Sequence, residues 1–323
     1  MMTRLLLRRA AAFLALSMSL AAQAAFPEKP VTLLVPFPAG GASDMIARNI
    51  GAQLQLQWKQ TVVVENKAGA TGTIAAAQFK RAAPDGYTLF VSSLGPFVIA
   101  PHLYKTVPYD SLKDLDLIMV AVQSPNVLVV PVTSKFNTLA DVLAELKAHP
   151  DTMSFASSGN GSSDHLTAEL FWLQTGTSGL HVPYKGGAPA VTDLIGGQVN
   201  ASFQNVNTVF TQIQSGKLRA LAVTGTKRSP VLPQIATLGE LGVKGVDVYS
   251  WQGVAVPAGM APALRAQIHA ALATALADPA TQKKFTDIGL EMVVDTADHA
   301  HAFQAAEFAR WKTLIDARKI SAD

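Results

Sequence analysis

The chain has no cysteine among its 323 residues. That excludes thiol nucleophiles, Cys-ligated zinc and iron–sulfur clusters, and it leaves the fold without disulfides. Aromatic residues make up only 7%, too few for the aromatic-rich pocket that a carrier of apolar ligands needs. Charged residues are sparse at 15%. Beyond residue 24 they also balance: residues 1–24 hold Arg4, Arg8 and Arg9 and no acid, so 23 basic and 23 acidic groups follow. A nucleic-acid binder needs a basic surface, and none is supplied. Catalytic signatures are absent too: no G-x-S-x-G, H-E-x-x-H or G-x-x-x-x-G-K-[ST] occurs. Gly159-Asn160-Gly161 begins like a dinucleotide fingerprint but lacks its third glycine. His299-Ala300-His301 has no third ligand at metal-site spacing. No metal, cofactor or catalytic residue is expected, although a nucleophile and base brought together only in space would escape this reading.

Long apolar runs are equally scarce. The one present, Ala10–Ala21, is too short to span a bilayer. It follows the three arginines and precedes Ala22-Gln23-Ala24, an A-x-A site. This predicts a secretory signal over residues 1–24, cleaved after Ala24, and an exported soluble protein. With 49% hydrophobic residues, a chain of roughly 300 residues can build its core without disulfides.

What the sequence does have is alternation. Val-rich runs at Val31–Val35, Val62–Glu65, Thr88–Val91, Leu117–Val122, Val127–Val130, Met153–Ala156, Ala201–Gln204, Leu218–Val223, Trp251–Val256 and Met292–Val294 predict strands buried on both faces. Helical spacing predicts helices at Asp44–Leu56, Leu139–Ala148, Leu166–Leu173, Pro189–Ile195, Pro262–Leu276 and Ala302–Ala317. This is an α/β pattern with parallel-rich sheets flanked by helices. Its length suggests two domains, and Val127–Val130 and Trp251–Val256, each followed by Pro, are the expected crossings. Residues 25–125 with 247–323 would form domain 1, and residues 126–246 domain 2.

The polar chemistry gathers where strands end. Phe37-Pro38-Ala39-Gly40-Gly41 leads from a strand into a helix whose first turn has backbone N–H groups without helical partners and a partial positive charge. Adjacent glycines permit close approach, so this is an anion-binding arrangement. Ser158-Gly159-Asn160-Gly161-Ser162 repeats it in the other half, with hydroxyl and amide donors. Asp44 is the awkward residue: a carboxylate in the first turn repels an anion. It either caps backbone N–H groups or takes an amine if the ligand is an amino acid. His165 either donates to a ligand carboxylate or is an exposed first-turn residue. Thr71 and Gly72 in a third Gly-rich turn, Ser92 and Ser93, Lys185 beside a fourth helix start, and Asn205 add donors at further strand ends. Phe37, held out by flanking prolines, can stack on an apolar ligand part. Trp251 is placed either in the cleft or in the core.

PFPAGGASD (36–44), ENKAGATGTIAA (65–76), SSGNGSSDHL (157–166), HVPYKGGAPAVTDLIGGQV (181–199), GKLRALAVTGTKRSPVLPQIATLGELG (216–242) and WQGVAVPAGM (251–260) together resemble the Bug family. These are the extracytoplasmic substrate-binding proteins of tripartite tricarboxylate transporters. The resemblance implies a two-domain Venus-flytrap fold of periplasmic-binding-protein type II. It also implies a periplasmic location, a small carboxylate ligand and delivery to a two-component membrane permease. Carried onto this sequence, Pro38–Gly41 would seat one ligand carboxylate. Ser158–Ser162 would close over it, and Thr71, Ser92, Ser93, Lys185 and Asn205 would line the rest. Di- and tricarboxylates, acidic amino acids and aromatic acids all fall within that expectation. So does a monomer. A sensory receptor for the same ligand and an exported hydrolase are the rival readings.

Overall fold

The computed structural model describes residues 26–322; the expected signal and its cleavage site lie outside them. Among the described residues no helix is long and apolar enough to cross a membrane.

The Val-rich runs become strands because both their faces are covered. In β1 (Val31–Val35), Val31, Leu33, Leu34 and Val35 are fully buried, each worth roughly 1.5–3 kcal/mol. β1 lies parallel to β2 (Val62–Asn66) on one side and β3 (Thr88–Ser93) on the other. Helix Ala42–Trp58 lays Ile46, Ile50 and Leu54 into the core. β3 pairs antiparallel with β9 (Tyr249–Pro257), and β9 with the first part of β4 (Leu115–Pro131). The last residues of β4 pair antiparallel with β7 (Ala201–Asn205) and β8 (Leu218–Val223). β5 (Ser154–Ser157) runs parallel to β7 and to β6 (Leu180–Pro183). The result is a two-lobed α/β fold with mixed sheets, ordered β2-β1-β3-β9-β4-β7-β5-β6 and sharing β4. A core cluster bridges the lobes, joining Leu34, Phe79 and Phe97 to Phe155, Phe171 and Phe203.

The crossing differs from the sequence expectation. Leu117–Val122 and Val127–Val130 are one strand, not two. Pro125, which donates no ladder hydrogen bond, lies where the partners change: it pairs with Tyr249, and Asn126 already pairs with β7. Asn126 N–H donates to Thr224 Oγ1 (2.9 Å), Thr224 N–H returns to Asn126 O (2.8 Å), and Thr224 Oγ1 donates to Val248 O. The return connection therefore passes beside Pro125 just before β9. Trp251–Val256 stays within the first sheet, opposite Asp116–Gln123. Trp251 is a core residue: it is fully buried, stacked on Phe97 at 5.6 Å, and donates to Glu307 Oε2 (3.3 Å). The His299 and His301 side chains pair with Asp295 (2.9 Å) and Asp116 (2.6 Å). Among the described residues no cluster could hold a metal ion.

Candidate functional site

Ligands of open α/β sheets bind beyond the carboxyl ends of the strands, and each Gly- or Ser-rich loop singled out above follows such an end. The first loop, Pro36–Gly41, links β1 to helix Ala42–Trp58. Gly41 is the N-cap and no side chain caps the helix. Gly41 N–H makes only a long bond to Pro38 O (3.4 Å), and the helical ladder begins with Met45 N–H to Gly41 O. The N–H groups of Ala39, Ala42, Ser43 and Asp44 have no hydrogen-bond partner among the described residues. Pro38, Ala39, Gly40 and Gly41 are exposed and Phe37 is half-buried beside them.

Asp44 does not face outward as an anion. It is buried, and its Oδ2 accepts from Gly40 N–H (2.9 Å) and Arg48 Nε (2.9 Å), while Arg48 Nη2 lies 2.8 Å from Oδ1. Burial opposes its ionisation. Arg48, the Gly40 N–H and Asn66 outweigh that and hold the carboxyl below the usual carboxylate range. Asp44 thus caps the loop, and Arg48 neutralises it. The same bonds remove the Gly40 N–H from the donors expected for an anion. Asn66, paired with Val35 at the strand end, ties Phe37 O (3.1 Å) to this group.

The second loop is built differently. Ser158 N–H (2.8 Å), Ser158 Oγ (2.7 Å) and Gln204 Nε2 (3.1 Å) all donate to Asp164 Oδ2. Gly159 N–H donates to Ser157 Oγ (3.2 Å), Ser162 N–H to Gly159 O (3.1 Å) and Gly161 N–H to His165 Nδ1 (3.0 Å). Ser162 Oγ donates to Gly159 O (2.6 Å) and caps the helix Ser163–Thr175. Among its backbone donors only the Asn160 N–H lacks a partner among the described residues, and Asn160 is exposed. The expectation of several free N–H groups here is corrected: the loop's donors are turned inward and bonded to its own residues. His165 is not an exposed first-turn residue either. It is 3% exposed and accepts from the loop rather than pointing at a ligand.

The remaining expected residues divide. Thr71 lies in a run of left-handed residues, Gly69 (φ 140°), Ala70 (45°), Thr71 (51°) and Gly72 (88°). A β-branched residue at positive φ is an outlier, and such strain gathers at ligand sites. Thr71 Oγ1 lies 3.2 Å from Tyr104 OH. Gly72 packs against Pro36 and Pro96, where a Cβ would meet both rings at 3.1–3.2 Å. Ser92 is fully buried and donates to Ser93 O (2.9 Å), so it is withdrawn from the cleft, whereas Ser93 is half-buried. Lys185 is exposed and without a partner among the described residues. It sits between Tyr184 and Gly186, whose N–H groups bond to Ser157 O (2.9 Å) and Ser158 O (3.1 Å). Asn205 Oδ1 accepts from Ser163 Oγ (3.0 Å).

Sequence reasoning passed over Gln252, Asp164, Gln204 and Tyr104. A signal was present for Asp164. Both loops end in Ser-Asp, Ser43-Asp44 and Ser163-Asp164. In each pair the Asp turns back to the loop's backbone and the Ser reaches a neighbouring strand end: Ser43 Oγ to Gln252 Oε1 (2.7 Å), Ser163 Oγ to Asn205. The lobes meet beside the second loop, where Gly161 faces Leu103 and Ile99 so closely that a Cβ would lie 2.1 Å from Leu103 Cδ1.

His181 stacks on His165 (centroids 3.8 Å, 14°) and its Nε2 lies 2.6 Å from Ser157 Oγ. Burial, and then the neighbouring His165, push its pKa down from 6.5 to about 4. A group whose folded value is depressed adds stability that is complete above the unfolded value and is lost as pH falls toward the folded one. The expected result is a melting temperature of the ligand-free protein that declines between pH 6.5 and 4, and declines less in H181N. Calorimetry across that range checks it.

Two lobes thus share one strand; one carries unpartnered N–H groups at a strand end, and the other a loop whose donors are bonded inward. Residues 46–320 match the model of the tripartite tricarboxylate transporter family receptor. The chain belongs to this family of periplasmic binding proteins, and more narrowly to its Bug branch. It is 37% identical over 291 residues to Protein BugT of Bordetella pertussis, covering 90% of this chain and 89% of that one. Among solved structures it is similar to the R. palustris protein Rpa4515 with adipate (32% identity, TM-score 0.85, 92% of this chain and 99% of that one). It is also similar to MatC from Rhodopseudomonas palustris with bound malate (29% identity, TM-score 0.81, 90% and 100%).

Proposed function

We propose that this protein captures a small organic acid between its lobes in the periplasm and presents the loaded, closed form to a two-component membrane permease. The observation that carries this reading is the contrast between the loops. The first offers unpartnered N–H groups at Ala39, Ala42, Ser43 and Asp44, while the second has bonded its own donors away. One ligand carboxylate sits on the first loop. Ser158–Ser162 closes over it, leaving Asn160 as its open donor. Lys185, Thr71, Ser93 and Asn205 line the remainder, and Lys185 supplies the cation for a second acidic group. Phe37 borders the ligand's carbon skeleton. The lobes hinge at Pro125–Asn126 and at the paired return near Val248, so residues 25–125 with 247–323 move against 126–246.

The ligand is a carboxylic acid without an amine. Asp44 is matched by Arg48, and the Oδ2 of Asp164 already accepts from Ser158 and Gln204. Neither side chain is left to hold an ammonium group. The protein acts as a receptor and not as a hydrolase. The close Ser157–His181 contact has no carboxylate orienting the imidazole among the described residues, and Ser157 is 1% exposed. A nucleophile needs both orientation and access.

A thermal-shift screen followed by calorimetry tests this. The panel is malate, adipate, citrate, an aromatic acid, aspartate, glutamate and neutral sugars. Malate, adipate or another non-amino acid is expected to bind with a Kd of about 1 μM, roughly −8 kcal/mol. At a hundredfold excess over Kd it should stabilise the fold by about 2.7 kcal/mol. Stabilisation by sugars alone would sink the reading.

A further inference from the structure

We propose that Arg318 and Glu169 are positioning residues for the ligand loop, holding Gly161 in place through His165. The inference rests on the reading that Ser158–Ser162 closes over the ligand.

The contacts form one chain from the C-terminal helix (Ala297–Arg318) to the loop. Arg318 Nε donates to Glu169 Oε2 (2.7 Å), Glu169 Oε1 lies 3.7 Å from His165 Nε2, and His165 Nδ1 accepts from Gly161 N–H (3.0 Å). That last bond fixes the tautomer. Nδ1 carries the lone pair, so the ring proton sits on Nε2, toward Glu169. Glu169 faces the Nε2 edge of the ring, and Arg318 holds the Glu169 carboxylate there from the C-terminal helix. The other groups facing His165 are Asp164, whose Oδ1 accepts the His165 N–H (3.1 Å), and His181, stacked against it from β6. Burial and His165 keep His181 neutral, so it brings no charge of its own. The C-terminal segment also touches, within its own lobe, the surface that the loop faces: Ala322 N–H donates to Leu103 O (3.2 Å), and Leu103 is the residue Gly161 faces. One end of the chain thus braces both sides of the closure.

The test is amide exchange at Gly161 in the purified, ligand-free protein at neutral pH, for wild type, R318Q, R318K and E169Q. R318Q and E169Q should each lose at least tenfold of the Gly161 protection. R318K keeps the charge and should stay near wild type. Wild-type protection in both R318Q and E169Q, or a loss in R318K as large as in R318Q, overturns the proposal. If R318Q does not fold, E169Q alone decides it. Failure of every carboxylate to bind would defeat the functional reading while leaving the exchange result intact. Conversely, with malate or adipate as probe, tight binding in R318Q while Gly161 is unprotected would overturn the positioning role alone.

Discussion

G161V should weaken ligand binding by about a hundredfold while costing the fold only the roughly 1–2 kcal/mol of its left-handed backbone. Gly161 has φ +74°, and a Cβ there would stand 2.1 Å from Leu103 Cδ1 and 3.1 Å from Ile99. The left-handed backbone alone costs a side chain about 1–2 kcal/mol. The clash falls between lobes, so the chain relieves it by opening rather than by unfolding. A closed state disfavoured by roughly 3 kcal/mol raises the apparent Kd about a hundredfold. Calorimetry reads the affinity, and small-angle scattering reads a larger radius of gyration in the presence of saturating ligand. L103A added to G161V should recover much of the loss, because it removes the obstructing atom but not the backbone strain. An affinity within a few-fold of wild type in G161V would mean that this apposition plays no part in capture.

The second large effect is on stability. D164A should lower it by about 3 kcal/mol, since hydrogen bonds to a charged acceptor contribute about 1.5–3 kcal/mol each and buried donors left unpaired are costly. Asp164 is 3% exposed, and Ser158 N–H, Ser158 Oγ and Gln204 Nε2 all depend on its Oδ2. For a chain of this size the loss corresponds to a fall in melting temperature of roughly 5 °C. Affinity should drop about tenfold as well, because the second loop would have to be ordered on binding. D164N, which keeps an acceptor oxygen, should lie between. Denaturation by urea with an unchanged slope is the check; a loss under 1 kcal/mol would show that Asp164 is not what holds the loop.

Much of this arrangement was legible in the residues. Alternating Val-rich runs and helical spacing located most elements, and the loops stood out because glycine and serine follow strand ends. What failed did so for local physical reasons. Pro125 split β4 on paper, since a proline interrupts any strand pattern, yet at a change of partner its missing N–H costs the ladder little. The short β6 was missed because Leu180–Pro183 is only partly covered and lacks a continuous apolar signature. The helix Val206–Gln214 was missed because it buries only Val206 and Val209. Thr237-Leu238-Gly239-Glu240 makes both bonds of a capping box (2.7 and 3.0 Å), but around a turn rather than at a helix start. The direction of each donor was the least readable quantity. Gly40 and Gly161 look like free anion donors in sequence. In the fold their N–H groups go to Asp44 and His165, residues four positions further on. Such inward bonds are invisible until the loop's curvature is known.

β4 runs unbroken through both sheets, and its partner at the change of sheet is the return segment beside Thr224 and Val248. Neither half is therefore a cassette. Splicing in a lobe from a homologue would sever a ladder at its midpoint and strand the bridging aromatics. New ligand preferences in this lineage are thus easier to reach by editing loop residues than by shuffling whole lobes.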